Sequence, residues 1–214
     1  MAKQRVTFTT EDGVLIVGDY IESGSKNAVL LLHMLPSDRR SWFPIEEDLW
    51  RLGYQVLAID LRGHGESTRQ GTKTLDYKKF SDEQHQQSIK DVEAAINFLK
   101  EKSAKNFAVI GASIGANLAL TYGIGDSSVK TAILLSPGLD YRGVGTEKPA
   151  ANFDNPLLIV ASDDDDYSLE SSRRLAEIAS NAELKTLRNV GHGTQMFSSA
   201  ELKPLILDWL WEKL

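Results

Sequence analysis

The chain contains no cysteine, which excludes disulfides, thiolate metal sites and a cysteine nucleophile together. Any side-chain nucleophile must therefore be oxygen or nitrogen. Nor is there an excess of positive charge: 24 Lys plus Arg stand against 30 Asp plus Glu, a formal net charge of −6. That balance offers no field for phosphate backbones or anionic lipid, so nucleic-acid and membrane-surface roles lose ground. No stretch approaches the roughly 18 consecutive apolar residues that a spanning helix requires. Met1-Ala2-Lys3-Gln4-Arg5 leads into an alternating segment without the apolar run of a secretory signal, and a cytoplasmic location is the expectation. Repeats and Pro- or Ser-rich linkers are missing too, and the one low-complexity tract is the run of aspartates at 163–166. With 214 residues and 42% hydrophobic content, the sequence is expected to form a single domain, residues 1–214.

What is present has a clear rhythm. Residues 6–9 and 14–20 alternate apolar and polar side chains around Asp12-Gly13, a dipeptide suited to a tight hairpin. Thereafter short apolar runs at 29–32, 56–59, 107–110, 132–135 and 157–160 lack alternation, as strands covered on both faces do. A last strand is expected at 184–187. Helical patterns fall between most of them. Ser41 can cap a helix ending near Gly53, Ile89, Val92, Ile96 and Leu99 share a face, and residues 169–179 form a further helix. Leu202, Leu205, Ile206, Trp209 and Leu210 make a final stripe. Strands alternating with helices predict an α/β fold, a mostly parallel twisted sheet with helices on both faces and an N-terminal antiparallel hairpin. Right-handed crossovers then gather the loops after the strands at one edge, where a ligand would bind.

Gly111-Ala112-Ser113-Ile114-Gly115 lies at such a strand end, with Phe107-Ala108-Val109-Ile110 before it and a helical run after it. Gly-x-Ser-x-Gly in this setting reads as a nucleophile elbow: the glycines admit a tight turn, and the following helix directs its N-terminus at the reacting oxygen. A dinucleotide-binding turn would need Gly-x-Gly-x-x-Gly, and Ser113 occupies the second glycine's place. A serine hydroxyl is inert without a base and an orienting acid, which in this architecture follow in the order acid, then His. His192, in Asn189-Val190-Gly191-His192-Gly193, is the only histidine downstream of Ser113. The acid belongs after the penultimate strand, where Ser162 precedes four adjacent aspartates. Asp163 could hold the turn, Asp166 could support the next helix, and Asp165 leaves enough loop to curl toward His192. A divalent-metal role for the cluster is the competing reading, although it lacks the glycine and glutamate of a calcium loop.

Four landmarks, in this order and spacing, resemble the α/β-hydrolase superfamily over nearly the whole chain. They are His33-Met34-Leu35-Pro36 with Trp42, Asp60-Leu61-Arg62-Gly63-His64-Gly65-Glu66-Ser67, Gly111-Ala112-Ser113-Ile114-Gly115 and Gly191-His192-Gly193. The resemblance implies an α/β-hydrolase fold of about eight strands. Ser162 stands where the family's acid motif has glycine, which assigns the acid to Asp165. Matching the family's His-Gly-x-Pro to residues 33–36 assigns one backbone oxyanion donor to Leu35, with Met34 in reserve, and the second to Ile114. His33 and His64 are read as loop-bracing groups and His85 as a helix-surface residue. Arg39 and Arg40 either select anionic substrates or form a solvated face.

The chemistry so implied is hydrolysis of a small-molecule carboxylic ester or thioester through an acyl-enzyme on Ser113, with His192 as general base and Asp165 fixing its tautomer. No metal or organic cofactor is required. Only residues 137–155 separate the strands between which many relatives carry a helical cap, so no large cap and an open site are expected. These residues also leave no room for the cap tyrosines of an epoxide hydrolase. The alternatives are a non-catalytic binding protein of the same fold, or another of its activities, peptidase, amidase or haloperoxidase-like.

Overall fold

The computed structural model describes residues 2–214. In chain order the strands are β1 (Lys3–Thr9), β2 (Val14–Ile21), β3 (Asn27–Leu32), β4 (Gln55–Ile59), β5 (Arg69–Gln70), β6 (Lys73–Thr74), β7 (Asn106–Ala112), β8 (Val129–Leu135), β9 (Asp140–Tyr141), β10 (Val144–Gly145), β11 (Leu157–Ser162) and β12 (Ala182–Leu187). The helices are α1 (Phe43–Arg51), α2 (Asp82–Gln86), α3 (Ile89–Glu101), α4 (Ile114–Gly123), α5 (Glu147–Ala151), α6 (Asp166–Ile178) and α7 (Leu202–Lys213). One sheet runs β12-β11-β8-β7-β3-β4-β2-β5-β6, with β1 paired to β2. From β4 to β12 every pairing is parallel, and the remainder is antiparallel. This is the mostly parallel sheet with an N-terminal antiparallel hairpin that the periodicity predicts. No helix among the described residues is long and apolar enough to cross a membrane.

The non-alternating runs are explained by burial on both sides. Leu30, Leu32, Val109, Leu134 and Ile159 face one core, which α3 completes with Val92, Ala95, Ile96 and Leu99 and α4 with Ala116, Leu118 and Leu120. Their strand neighbours Val29, Leu31, Ile110, Ile133, Leu135 and Leu158 face the other, closed by Ile45 and Leu49 of α1 and by Leu202, Ile206, Trp209 and Leu210 of α7. Period-2 alternation of direction with no alternation of polarity is what a doubly covered strand requires.

Three local expectations are corrected. Asp38, not Ser41, caps the first helical segment: its carboxylate accepts from the Arg40 N–H, while the Ser41 hydroxyl donates back to the Asp38 carbonyl. The helix after the aspartate run starts at Asp166 rather than at 169, because residues 166–168 continue its hydrogen-bonding pattern. His85 is buried, edge-on to Phe80 at 5.4 Å, and is no surface residue.

His33 and His64 brace the loops at the sheet edge. The His33 Nε2 accepts from the Leu61 N–H (2.9 Å) and its Nδ1 donates to the Met34 carbonyl (2.9 Å), which fixes a neutral ring. His64 donates from Nδ1 to the Arg62 carbonyl and stacks on Tyr77 at 3.8 Å. Burial pushes His33 down to about 4, and burial with the neighbouring His33 pushes His64 down to about 3. Below the ordinary imidazole value near 6.5 the unfolded chain takes up these protons while the folded chain refuses them. Their contribution to stability is therefore complete above about pH 6.5 and is lost as the pH falls toward 4. In His64→Phe, which retains the stacking face, the slope of unfolding free energy between pH 6.5 and 4.5 should be shallower by about 1.4 kcal/mol per pH unit. Urea melts at several pH values measure it, and an unchanged slope would mean that His64 is already charged in the native state.

Candidate active site

Two glycines make the turn at Ser113 possible. A Cβ on Gly111 would collide with the Gly115 carbonyl, and one on Gly115 would collide with the Leu32 carbonyl at the end of β3. Strand, helix and neighbouring strand thus approach to a distance that only glycine allows. Between them Ser113 adopts φ 54° and ψ −122°, a region where a side chain is strained and which recurs at functional sites. The conformation is held by the Ser113 N–H donating to the Leu135 carbonyl (2.8 Å) and by its own carbonyl accepting from Ala116 (2.9 Å) and Asn117 (3.2 Å). Ile114 opens α4 immediately after it.

The loops after β11 and β12 arrive beside the elbow because those strands are neighbours in parallel register. Asp165 Oδ2 lies 2.6 Å from His192 Nδ1, with the two side chains 16% and 29% exposed. Asp165 is the aspartate of the run that meets the imidazole. The other members have different work. Asp163 Oδ1 accepts from the Asn189 N–H (2.8 Å), and Asp164 Oδ1 accepts from the Gly191 N–H (3.1 Å) and from the Ser162 hydroxyl, which itself accepts from the Val190 N–H (3.0 Å). The Ser162 hydrogen bond holds the Asp164 carboxyl below the usual carboxylate range. Acid loop and histidine loop are thus laced together on both sides of Asp165. Serine in place of the family's glycine supplies one of the lacing groups. Asp166 begins α6, a position where a carboxylate suits the helix dipole. Among the described residues no group of three or more His, Cys, Asp or Glu side chains converges as a metal site.

Two serines lay outside the sequence reading. Ser136, at φ 50° just past β8, accepts on its hydroxyl from the Gly193 N–H (2.9 Å) and so fixes the backbone next to His192. Ser168, buried on the first turn of α6, has its hydroxyl 3.4 Å from His192 Nδ1 and 2.9 Å from the Tyr141 hydroxyl. The residues 137–155 form no helical lid, in keeping with the expectation, yet the site is less open than expected. They fold into the β9–β10 hairpin and the single turn of α5. Asn117 of α4 anchors the hairpin by donating to the Gly138 and Val144 carbonyls (3.0 and 2.7 Å) and accepting from the Gly138 N–H. Arg142 and Gly143, both at positive φ, make the two-residue turn. The hairpin carries Tyr141 against Tyr167 and His192, at ring separations of 5.6 and 6.2 Å, and Ser113 is left 6% exposed. Among the described residues the Ser113 hydroxyl makes no hydrogen bond to His192; the Tyr141 phenol, on the same side of the elbow as His192, meets the Ser168 hydroxyl (2.9 Å) and donates to the Ser136 carbonyl (3.5 Å). Burial pushes that phenol up to about 12, so it keeps its proton throughout the neutral range.

Across the elbow lies the loop after β3. Its turn is closed by the Ser37 N–H donating to the Met34 carbonyl (2.9 Å), with Met34 and Leu35 half-buried. The Met34 sulfur lies where a Cβ on Gly193 would meet it, so this loop also packs on the histidine loop. Arg39 is neither a substrate-selecting group nor a solvated one. It is buried, with Nη1 and Nη2 each 2.5 Å from Asp60 and Glu66 carboxylate oxygens and Nε 3.0 Å from Asp19. Arg40 is exposed and paired with Asp38.

The sequence profile of the alpha/beta hydrolase fold family matches residues 27–149, more than half of the chain, and the protein belongs to that family. No curated protein matches it in sequence. Among solved structures it is similar to an esterase of Pyrococcus furiosus, with a TM-score of 0.80 at 22% identity over 99% of this chain and 91% of that one. A predicted CIB-like hydrolase from Thermoplasma acidophilum gives 0.79 at 17% identity, covering 98% of each chain. A thermophilic esterase from Thermogutta terrifontis gives 0.77 at 18% identity, again over 98% of each. At these identities the likeness is one of fold.

The lacing by Asp163 and Asp164 predicts separable effects on backbone exchange. Asp163→Ala should speed hydrogen exchange at the Asn189 amide about tenfold or more and leave Gly191 nearly unchanged, and Asp164→Ala should do the reverse. Residue-resolved exchange by NMR distinguishes them; equal protection in both variants would mean that the carboxylates do not hold the histidine loop.

Proposed function

We propose that the protein is a serine hydrolase of carboxylic esters or thioesters, with residues 1–214 acting as one domain. Ser113 is the nucleophile, His192 the general base, Asp165 the orienting acid, and the backbone N–H groups of Leu35 and Ile114 the oxyanion donors. The observation that carries the reading is the 2.6 Å contact between Asp165 and His192 Nδ1 beside a serine held in strained backbone geometry. A carboxylate on Nδ1 keeps the proton there and leaves Nε2 free to accept another.

In the first half-reaction His192 Nε2 removes the proton from Ser113 as its oxygen attacks the acyl carbon. The oxyanion develops toward the N-terminus of α4, where Ile114 and the loop after β3 offer N–H groups that do not need to reorient. The imidazolium, stabilised by Asp165, returns its proton to the leaving oxygen or sulfur. Water then repeats the sequence on the acyl-enzyme. The contact between base and nucleophile in such sites commonly tightens only when substrate is bound. Arg39 is consumed by three carboxylates and the rim carries Asp163, Asp164 and Asp166, so neutral esters suit this site better than anionic ones. A non-catalytic role is less well supported, since a binding surface would not need a paired acid and imidazole beside a strained serine.

A panel of p-nitrophenyl esters and thioesters of increasing acyl length tests the activity, and amide replacement tests the acid. Replacing an orienting carboxylate by an amide keeps shape but favours the wrong tautomer, a loss that reaches ~10⁴ in kcat in the serine-protease case. Among the Asn variants of residues 163–166, Asp165→Asn should lose at least ~10³ in kcat, and the other three far less. Equal small losses across the four would exclude Asp165 as the orienting group.

A further inference from the structure

Tyr141 has no part in the chemistry just described, yet its hydroxyl is surrounded by it. The phenol meets Ser168 at 2.9 Å, and Ser168 in turn meets His192 Nδ1 at 3.4 Å. Its ring stands edge-on to both His192 and Tyr167. Tyr167 is not equivalent: its hydroxyl donates to the Asp140 carbonyl (2.9 Å) and accepts from the Asp140 N–H (3.1 Å), so it braces the hairpin. The Tyr141 hydroxyl has a weaker alternative, the Ser136 carbonyl at 3.5 Å.

Proton order in this chain of groups is constrained. His192 Nδ1 carries a proton directed mainly at Asp165. The Ser168 oxygen can accept a weak share of it and donate its own proton to the Tyr141 oxygen. The phenol proton is then left to the Ser136 carbonyl at 3.5 Å, a long bond that a substrate oxygen at the elbow can replace. Sheet order says on which side this happens. The oxyanion loop follows β3 and the Tyr141 hairpin follows β8, and β7, which ends in the elbow, lies between those two strands. Tyr141 therefore approaches the reacting centre from the side opposite the oxyanion loop, the same side as His192. The group that departs past His192 must pass there.

We propose that Tyr141 is a substrate-contacting residue whose hydroxyl donates a hydrogen bond to the leaving-group oxygen of the ester, and to the incoming water in the second half-reaction. This rests on the hydrolase reading above. During acylation the bond from Ser113 Oγ to the acyl carbon forms and the bond from that carbon to the leaving oxygen breaks. The serine proton passes through His192 to the leaving oxygen, and the phenol keeps its own proton. Its hydrogen bond stabilises negative charge on the departing oxygen before the proton arrives. The requirement is greatest for alcohols of high pKa and slight for p-nitrophenolate.

Leaving-group dependence is the test. For esters of one short acyl chain with p-nitrophenol, phenol, trifluoroethanol and ethanol, kcat/KM is compared between the wild-type protein and Tyr141→Phe, which keeps the ring packed on Tyr167 and His192. The substitution should lower kcat/KM for the p-nitrophenyl ester by less than about threefold and for the ethyl ester by about tenfold or more. Both rates are read in one preparation, so a reduced folded fraction cancels from their ratio. As a second variant, 3-fluorotyrosine at 141, which retains ring and hydroxyl, should keep the ratio near the wild-type value. An equal loss on every leaving group, as an oxyanion donor or a purely structural residue would give, overturns the proposal, and so does an unchanged ratio. Wild-type protein that hydrolyses none of these esters would instead remove the hydrolase reading itself.

Discussion

The close approach of the β7–α4 turn to the end of β3 governs the rest of this molecule. Neither Gly111 nor Gly115 can carry a Cβ without striking backbone, so the turn has one shape and Ser113 has one place in it. The cost of the strained φ and ψ at Ser113 is offset by the cores on both sides of β7, which fix the strand and the helix independently of the residue between them. Every other side chain proposed for the chemistry is placed by a loop that follows a strand parallel to β7, and so meets the same edge.

Those loops are held by polar contacts whose stiffness differs from one side of the elbow to the other. On the β3 and β4 side the anchor is a buried ionic cluster in which Asp60 accepts from the Arg39 and Glu66 N–H groups (both 2.8 Å) while its carboxylate pairs the Arg39 guanidinium. Breaking one member would leave a buried charge without a partner, which makes this side hard to deform. On the β11 and β12 side the anchors are exposed or half-buried bonds from Asp163, Asp164 and Ser162 to backbone N–H groups. The loop after β3 is thus the more rigidly built part, and the loops after β11 and β12 the more adaptable one. That division fits the proposal that His192 carries a proton between two oxygens.

Much of this was legible in the sequence, for a physical reason. Doubly buried strands cannot alternate in polarity, so the runs at 29–32 and 107–110 announce parallel strands, and a serine between glycines at the end of one announces a close turn. The meeting of Asp165 and His192 could be anticipated from chain order and the resemblance. The roles of Asp163, Asp164 and Ser136 could not, because each depends on which backbone N–H groups of a distant loop stand opposite. Arg39 was legible only as a charge, since its burial among Asp19, Asp60 and Glu66 joins residues far apart in the chain. Tyr141 gave no signal at all: its two-residue strand β9 is too short to show a periodicity, and its hairpin is anchored by Asn117, a residue that reads in sequence as part of an ordinary helix.

The central claim is that Ser113 is the covalent nucleophile. Peptide mapping of the protein after treatment with a serine-directed fluorophosphonate tests it most directly. One adduct per chain on Ser113, absent from Ser113→Ala, is the result the account predicts. Stoichiometric labelling of Ser113→Ala at another residue, or no adduct in a wild-type preparation that hydrolyses esters, would contradict it.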